Sequence, residues 1–303
     1  MTSSDTSAGP AAGPSSGIST AYRPYLPGPF RWRLGLRPLE IEHWFEIGPD
    51  HRDTDAQMQT MRSVLRDHHR SAVVLADDIE AEADEVRRAV VDHLRTHHRD
   101  HLERWGDEVA GLHPLEAAAR LVPEDVALMV RRGDALVLGG GVVCFPNRWD
   151  LASKLGRTMA EIHQPVSRLN DQLSDPIDRF LDRLRPERSY WRLGWGVLDT
   201  DELYQPLDGT APPRPGAGDP EAVSLDDVHL RVERETLRRF PETSAVLFTI
   251  RTHLTPLRDL VAEPGQAALL AEAIEAIPDD VAQYKELGAF GRRVLGWLRA
   301  ADA

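Results

Sequence analysis

The segment VVCFPNRWDLASKLGRTMAEIHQPV, residues 142–166, marks a change from strand to helix in the middle of the chain. It begins with an apolar, β-prone run that is interrupted at Pro146, which favours a turn there. Asp150 can then act as an N-cap, and the pattern predicts a helix from Leu151 to His163. On helical spacing, the apolar residues of this predicted helix form one stripe: Leu151, Leu155, Met159 and Ile162.

His163 lies at the edge of that stripe, in the last turn of the predicted helix. An imidazole at this position can face a pocket while the helix packs on the core. It can equally cap its own helix, because a protonated histidine is favoured at a helix C-terminus. The residues alone favour the capping role, since most lone histidines are structural or solvated.

Five strand-like runs flank this predicted helix. Two of them, Ala135–Leu138 and Val142–Phe145, are joined by Gly139-Gly140-Gly141, which predicts a hairpin. The other three follow a second predicted helix near Ile177–Leu184, and they are Tyr190–Leu198, Val228–Arg234 and Ala245–His253. Two strands, a helical crossover and three strands predict an α+β fold, a five-stranded antiparallel sheet with helices on one face.

Helical periodicity dominates both ends of the chain. Before the sheet it predicts helices over residues 55–70, 80–105, 115–122 and 124–131, and after the sheet over residues 266–277 and 281–298. Residues 1–20 are rich in Ser, Gly, Ala and Pro, which predicts a disordered tail. We therefore predict one domain over residues 21–303. It comprises a helical elaboration at about 30–131, a sheet core at about 135–253 and C-terminal helices at about 256–299.

Composition and charge restrict the function. The formal net charge of −13 argues against nucleic acid or an anionic membrane as the main partner. No apolar run approaches the roughly 20 residues of a membrane-spanning helix. The first twenty residues lack the basic and apolar parts of a signal peptide, so a cytoplasmic location is expected. Cys144 is the only cysteine, which excludes an intrachain disulfide and an iron–sulfur cluster held by this chain's cysteines.

Four long phrases resemble the haem-dependent oxidative N-demethylase α-subunit family. In chain order they are RLGLRPLEIEHWFEI (33–47), FPNRWDLASKLGRTMAEIHQPV (145–166), YWRLGWGVLDTDELYQP (190–206) and LRVERETLRRFPETSAVLFTIRTHLTPL (230–257). The resemblance covers most of residues 30–298. It implies a PAS-like domain that binds haem b, with helices added to the sheet.

The resemblance also implies the cofactor site. It makes His163 the axial ligand of the haem iron, and it places Arg148, Trp149 and Lys154 near the cofactor. From the pattern alone, Trp149 fits a core position better and Lys154 fits a solvated charge.

The last two predicted strands carry candidate catalytic residues. Arg231 and Glu233 share one side of the first strand, while Arg251 and His253 share one side of the second. We therefore predict that the two arginines meet on one sheet face near an anion or a polarised ligand. A salt bridge with Glu233 or Glu235 is the alternative. The resemblance favours a polar pocket that activates O₂.

Three positions depart from the family pattern, which commonly has Pro at position 167, Asn at position 194 and Tyr at position 253. Here they are Ser167, Gly194 and His253, and the last two changes bear on activity or substrate choice.

Four histidines cluster at positions 93, 97, 98 and 101. His97 and His101 have the i, i+4 spacing of metal ligands on one helix face. No accompanying carboxylate motif supports a metal site, so the pattern favours a pH-sensitive or weakly metal-binding surface. His98 and His101 remain the competitors of His163 as the haem ligand.

The resemblance implies an enzyme that oxidatively N-demethylates a small secondary amine, such as dimethylamine, with O₂ and releases formaldehyde. The chain has no dinucleotide-binding fingerprint and no cluster ligands, so an NAD(P)H-dependent flavin/iron–sulfur reductase is the expected partner. The alternatives are a haem-binding PAS-like sensor without turnover and a haem-free interaction domain.

Overall fold

The computed structural model of the chain describes residues 22–166, 168–216 and 219–302, so the tail predicted at residues 1–20 lies outside the described residues. The described residues form seven strands: β1 (Arg37–Leu39), β2 (Val73–Leu75), β3 (Asp125–Arg132), β4 (Ala135–Val142), β5 (Ser189–Leu198), β6 (His229–Arg239) and β7 (Val246–Pro256). Within the same ranges no helix is long and apolar enough to cross a membrane.

The helices of the described residues lie before, between and after these strands. They are α1 (Thr54–Asp67), α2 (His69–Ala72), α3 (Glu80–His97), α4 (Arg99–Trp105), α5 (Pro114–Ala119), α6 (Met159–Ile162), α7 (Leu169–Arg183), α8 (Leu257–Val261), α9 (Gln266–Glu275), α10 (Asp279–Tyr284) and α11 (Gly288–Asp302).

All seven strands form one antiparallel sheet in the order β1-β5-β6-β7-β3-β4-β2. The α+β class and the antiparallel sheet are therefore confirmed, whereas the predicted number of five strands is wrong. The two extra strands are the three-residue β1 and β2, which pair with β5 and β4 at the edges. The five longer strands keep the predicted sequence of two strands, a crossover and three strands.

The first two long strands differ from the prediction. β3 was predicted as the helix 124–131, but its run DVALMV is almost wholly buried and shows no polar alternation. Such a run does not distinguish a buried strand from a buried helix.

β4 is one continuous strand, so the hairpin predicted within residues 135–145 does not form. The hairpin of the structure joins β3 to β4 instead, and it turns at Gly133, where φ is +57°. A Cβ at Gly139 would lie 2.7 Å from the Val130 side chain of β3, so β4 needs glycine for close packing.

The predicted helix Leu151–His163 is also wrong. A short 3₁₀ turn over Ala152–Lys154 is followed by Gly156, whose φ of +74° ends the helical path. Helical structure restarts at α6, where Thr158 and Glu161 form a capping box. His163 is the C-cap of this single helical turn, so it follows the turn instead of ending a long amphipathic helix.

Helices cover both faces of the sheet, whereas the prediction placed them on one. One face, here called the helical face, packs against α1, α3 and α5 beside β3 and β7, and against α8–α11 beside β5 and β6. The opposite face, here called the crossover face, packs against residues 149–184, which include α6 and α7. The crossover face is therefore the one that carries His163.

Three helices predicted in other parts of the chain are confirmed, and two of them are interrupted. The helix over residues 80–105 breaks at His98, which separates α3 from α4. The helix over residues 281–298 breaks at Lys285–Leu287, where Glu286 has a φ of +55°. The helix over residues 55–70 is largely α1.

Candidate functional site

His163 is half-buried at the end of α6, under the crossover face. Its Nδ1 lies 2.9 Å from the carbonyl oxygen of Met159. A carbonyl only accepts hydrogen bonds, so Nδ1 carries the proton and Nε2 keeps its lone pair. Burial lowers the pKa of His163, although the Met159 bond opposes this, so the ring is neutral. A neutral imidazole with its other nitrogen held by a backbone carbonyl is the usual form of a histidine that ligates a metal.

Two charged side chains on the sheet lie close enough to His163 to influence its pKa, and they are Arg192 of β5 and Glu235 of β6. These residues are register partners, and Nε and Nη2 of Arg192 each donate to a Glu235 oxygen over 2.9 Å. The bidentate bond fixes the position of the Glu235 carboxylate on the crossover face.

A second carboxylate, Glu233, lies beside Glu235 on the crossover face. Arg231 donates from Nε to Glu233 Oε1 over 2.8 Å, and it also donates from Nη2 to the Phe145 carbonyl oxygen over 2.5 Å. Arg231 is only 1% exposed, and its Nη1 has no hydrogen-bond partner among the described residues. The crossover face thus holds two arginine–glutamate pairs, and the unsatisfied Nη1 of Arg231 lies beside them.

The two carboxylates converge on a small empty space. A Cβ added at Gly194 would lie 3.4 Å from Glu235 Oε1 and 3.9 Å from Glu233 Oε2, while a Cβ at Gly196 would meet nothing within 4 Å. Both glycines are on the crossover face, opposite Glu233 and Arg231 in the register. β5 therefore presents bare backbone beside the carboxylates.

The three residues predicted near the cofactor separate. Trp149 packs in the same apolar cluster as Met159 and Ile162, and Lys154 donates to the Ile162 carbonyl oxygen over 3.1 Å. Lys154 is close enough to His163 to influence its pKa, and the placement of both residues beside a cofactor stays a prediction.

Arg148 points elsewhere. It pairs with Asp199 and, over 2.6 Å, with Glu286, and it lines a separate cavity of about 720 Å³ beside α9–α11. None of its hydrogen bonds involves the crossover face.

The prediction that Arg231 and Arg251 share a sheet face is wrong. Arg231 is opposite Leu254 and Arg251 is opposite Arg234, so the side chains of the two arginines project from opposite faces. Arg251 is fully buried on the helical face, where it donates to Gln57 over 2.6 Å and to Asp53 over 3.1 Å. These contacts attach α1 to the sheet.

His253 also lies on the helical face, away from His163. Its Nε2 is 2.7 Å from Glu46 Oε2, and the other Glu46 oxygen accepts from the Tyr22 hydroxyl. Burial opposes ionisation of Glu46, but His253 and Arg234 outweigh it and lower the pKa of Glu46 to about 2. The arrangement is an ion-pair network that attaches residue 22 and the loop at residue 46 to the sheet.

The histidine cluster belongs to the helical face as well. His93 is buried against Trp44 and Phe45, contrary to the predicted surface position, and the His93 and His97 ring centroids are 4.7 Å apart. His101 lies 2.9 Å from the Leu121 carbonyl oxygen. In the part of the chain that is described, no three His, Cys, Asp or Glu residues are arranged to hold a metal ion. His101 is thus a poorer competitor of His163, whereas His98, whose buried Nε2 has no hydrogen-bond partner among the described residues, remains one.

Three features of the crossover face are ones that a haem site uses. His163 offers a free Nε2, the glycines of β5 leave space in front of the sheet, and half-buried apolar side chains such as Phe248 and Ile162 line the same layer. Haem iron bound through one histidine requires this combination of one nitrogen ligand and an apolar slot. Residues 149–163 and the crossover face of β5–β7 are therefore the candidate site.

Arg192 and Glu235 are the site residues that sequence reasoning did not select. Strand alternation gives the face of each residue within its own strand, but only the register of β5 on β6 places the two side chains together. The signal available beforehand was the pair of glycines at 194 and 196, which is unusual inside a strand.

One family model matches most of the chain. The model describes the "haem-dependent oxidative N-demethylase, alpha subunit-like" family, and it matches residues 35–295.

Proposed function

Because the chain belongs to the haem-dependent oxidative N-demethylase α-subunit-like family, we propose that it is the haem-binding catalytic subunit of an amine N-demethylase. Its substrate is a small secondary amine of the dimethylamine type. The observation that carries the proposal is the Nδ1 bond of His163 to Met159, which leaves Nε2 free for iron.

The proposed cofactor is haem b, with His163 as its axial ligand and Trp149 and Ile162 beside it. When bound, haem b supplies the redox chemistry that activates O₂. The chain's own residues then hold the amine, exclude water and fix the charges around it. The five long strands with their helical crossover support a PAS-like core.

Glu233 and Glu235 are the proposed amine-binding residues. Alkylamines, like the lysine side chain, are protonated at neutral pH, so the substrate arrives as a cation. Glu233 Oε2 accepts no hydrogen bond from Arg231, which uses Oε1, and Glu235 Oε1 lies across the same space. An ammonium group between these oxygens gains charge-assisted hydrogen bonds, and the arginines keep both carboxylates in place.

The overall reaction balances with electrons from outside the chain. One oxygen atom of O₂ enters the N-methyl group, which leaves as formaldehyde, and the other is reduced to water by external electrons and protons. One cysteine is too few to hold an iron–sulfur cluster, and the sequence has no dinucleotide-binding fingerprint, which supports an electron source outside this chain. We propose an NAD(P)H-dependent flavin/iron–sulfur reductase. The cytoplasmic location stays a prediction.

The decisive experiment combines a spectrum with a product assay. The purified, haem-supplied protein is measured for a Soret band, and formaldehyde is then quantified with NADPH, a ferredoxin–reductase pair as electron source, and dimethylamine. We expect a Soret band and formaldehyde in proportion to the amine consumed. A Soret band without amine-dependent formaldehyde assigns a haem sensor instead, and no Soret band assigns a haem-free domain.

A further inference from the structure

The glycines inside β5 have no structural reason within the protein. Neither Gly194 nor Gly196 has a positive φ, and the pairing of β5 with β6 runs without a register shift from Tyr190 to Leu198. They therefore mark neither a turn nor a bulge. Glycine inside a strand weakens it, and where there is no bulge it marks a close approach by a backbone or a ligand.

The glycines of β4 show the contrast. A Cβ at Gly139 would collide with Val130 at 2.7 Å, and a Cβ at Gly141 would collide with the Val126 carbonyl oxygen at 2.9 Å. Those glycines are required by the packing of β4 on β3. The nearest atoms to a Cβ at Gly194 are instead the two carboxylates, and a Cβ at Gly196 would reach no atom within 4 Å. The space in front of β5 is thus left for something outside the chain.

A second observation points to a ligand at the same place. Arg231 is opposite Gly196 in the register, and its side chain is 1% exposed with an unpartnered Nη1. A buried donor without an acceptor is costly unless a bound group satisfies it or a neighbouring charge compensates it. The bare part of β5 therefore runs from two convergent carboxylates at Gly194 to an unsatisfied donor at Gly196.

We propose that Gly194 determines which amines the site accepts, and that it admits N-methylamines whose second substituent is longer than methyl. This inference rests on the proposed N-demethylase function. An ammonium between Glu233 and Glu235 lies next to the position of the missing Cβ, since that position is 3.4 Å from one carboxylate and 3.9 Å from the other. A second substituent of the amine can then extend along the bare backbone toward Gly196.

The test compares two amines on two variants. Binding of dimethylamine and N-methylbutylamine is measured by calorimetry on the haem-free chain and by perturbation of the Soret band on the haem-loaded protein. The variants are Gly194→Ala and, as a control, Gly288→Ala, whose added Cβ meets nothing within 4 Å and lies at the start of α11. Product formation is not needed for either readout.

We expect the wild type to bind N-methylbutylamine at least as tightly as dimethylamine. Gly194→Ala should raise the Kd for N-methylbutylamine roughly tenfold or more and change the Kd for dimethylamine by less than about threefold. One methyl group in a pocket discriminates between ligands on this scale. Gly288→Ala should change neither. The contacts of a Cβ at position 194 are of ordinary length, so the variant is expected to fold, and melting curves check this.

Two results overturn the inference while leaving the N-demethylase function intact. One is a wild type that binds dimethylamine but not the longer amine, which needs no variant. The other is a Gly194→Ala protein that binds both amines more weakly to the same extent, or that binds both as tightly as the wild type does. A wild type that binds neither amine, with or without haem, overturns the proposed function itself.

Discussion

Arg231 and Arg251 lie on opposite faces of one sheet, because Arg231 pairs in register with Leu254 and Arg251 pairs with Arg234. Both guanidinium groups are buried, yet their partners differ in kind. Arg231 holds Glu233, which borders the proposed amine site, whereas Arg251 holds Gln57 and Asp53 of the α1 region. The sheet therefore separates the arginine beside the proposed amine site from the arginine that attaches α1 to the sheet.

Substitution of the two arginines should separate function from stability. Arg251→Ala removes a fully buried side chain with its bonds to Gln57 and Asp53, and should reduce the free energy of unfolding by about 3 kcal/mol. It should leave the Kd for dimethylamine unchanged in the folded fraction. Arg231→Lys removes the lateral bond to Glu233 and should weaken amine binding roughly tenfold. Chemical denaturation and calorimetry measure the two quantities, and equal effects of both variants on Kd would contradict the separation.

Removal of the His163 imidazole should abolish or reshape the Soret band, because its Nε2 is the nitrogen proposed to bind iron. Free imidazole added to His163→Gly should restore the band, since the small variant leaves space for it. His101→Ala serves as the control, because that ring is already bonded to the Leu121 carbonyl oxygen and lies on the other face. A normal Soret band in His163→Ala would mean that another residue binds the iron.

Neutralisation of Glu235 should weaken amine binding. Glu235→Gln keeps the shape of the side chain but removes the charge, and a charge-assisted hydrogen bond is worth about 2 kcal/mol, or roughly thirtyfold in Kd. Exposed Glu103 provides the control substitution Glu103→Gln. Calorimetric titration with dimethylamine measures the change. If the Kd is unaltered in Glu235→Gln and also in Glu233→Gln, the two carboxylates do not bind the amine.

The contribution of two buried carboxyl groups, Glu124 and Asp125, to the stability of the fold should fall as pH rises from about 5 to about 7. Burial raises the pKa of Glu124 and of Asp125 to about 7, above their ordinary values of 4.5 and 3.8. At these two groups the native state binds more protons than the unfolded state in this range, so their deprotonation on raising the pH disfavours folding. His93 and His98, whose pKa values burial lowers to about 3 and about 4, act in the opposite direction below about pH 6.5, and Glu46 does so at more acidic pH.

Melting temperatures measured across this pH range test the assignment. Glu124→Gln cannot ionise, so the variant should lose part of the pH dependence, at most about 3 kcal/mol in unfolding free energy. Glu103→Gln, on an exposed side chain, should retain the wild-type slope. Parallel pH profiles of the wild type and Glu124→Gln would contradict the assignment.

The strands after the crossover were predictable because they alternate. The polar and apolar residues of β6 and β7 change with period two, and their faces follow from that pattern. The relative register of the two strands is set by long-range pairing and by the turn at Ser244, whose φ is +61°. A wrong register moves every side chain to the opposite face, which is why Arg231 and Arg251 were placed together.

The crossover was harder to predict because local and tertiary signals conflict there. Residues 151–163 have the apolar spacing of a helix, but Gly156 adopts a positive φ and Leu138 of β4 bonds to the Arg157 carbonyl oxygen. Pairing with the sheet therefore competes with a continuous helix and replaces most of it. His163 was identified through the family resemblance, whereas its bond to Met159 depends on the short turn that actually forms.

Cys144 gives the protein a practical property. Its thiol is fully buried, and burial raises its pKa well above the ordinary value, so it is inert toward thiol-specific reagents in the folded state. A single cysteine introduced at an exposed position such as Glu187 would then be the only reactive thiol. A photo-crosslinker or spin label attached there, and moved around the rim of the crossover face one position at a time, would map where an electron-donating protein docks.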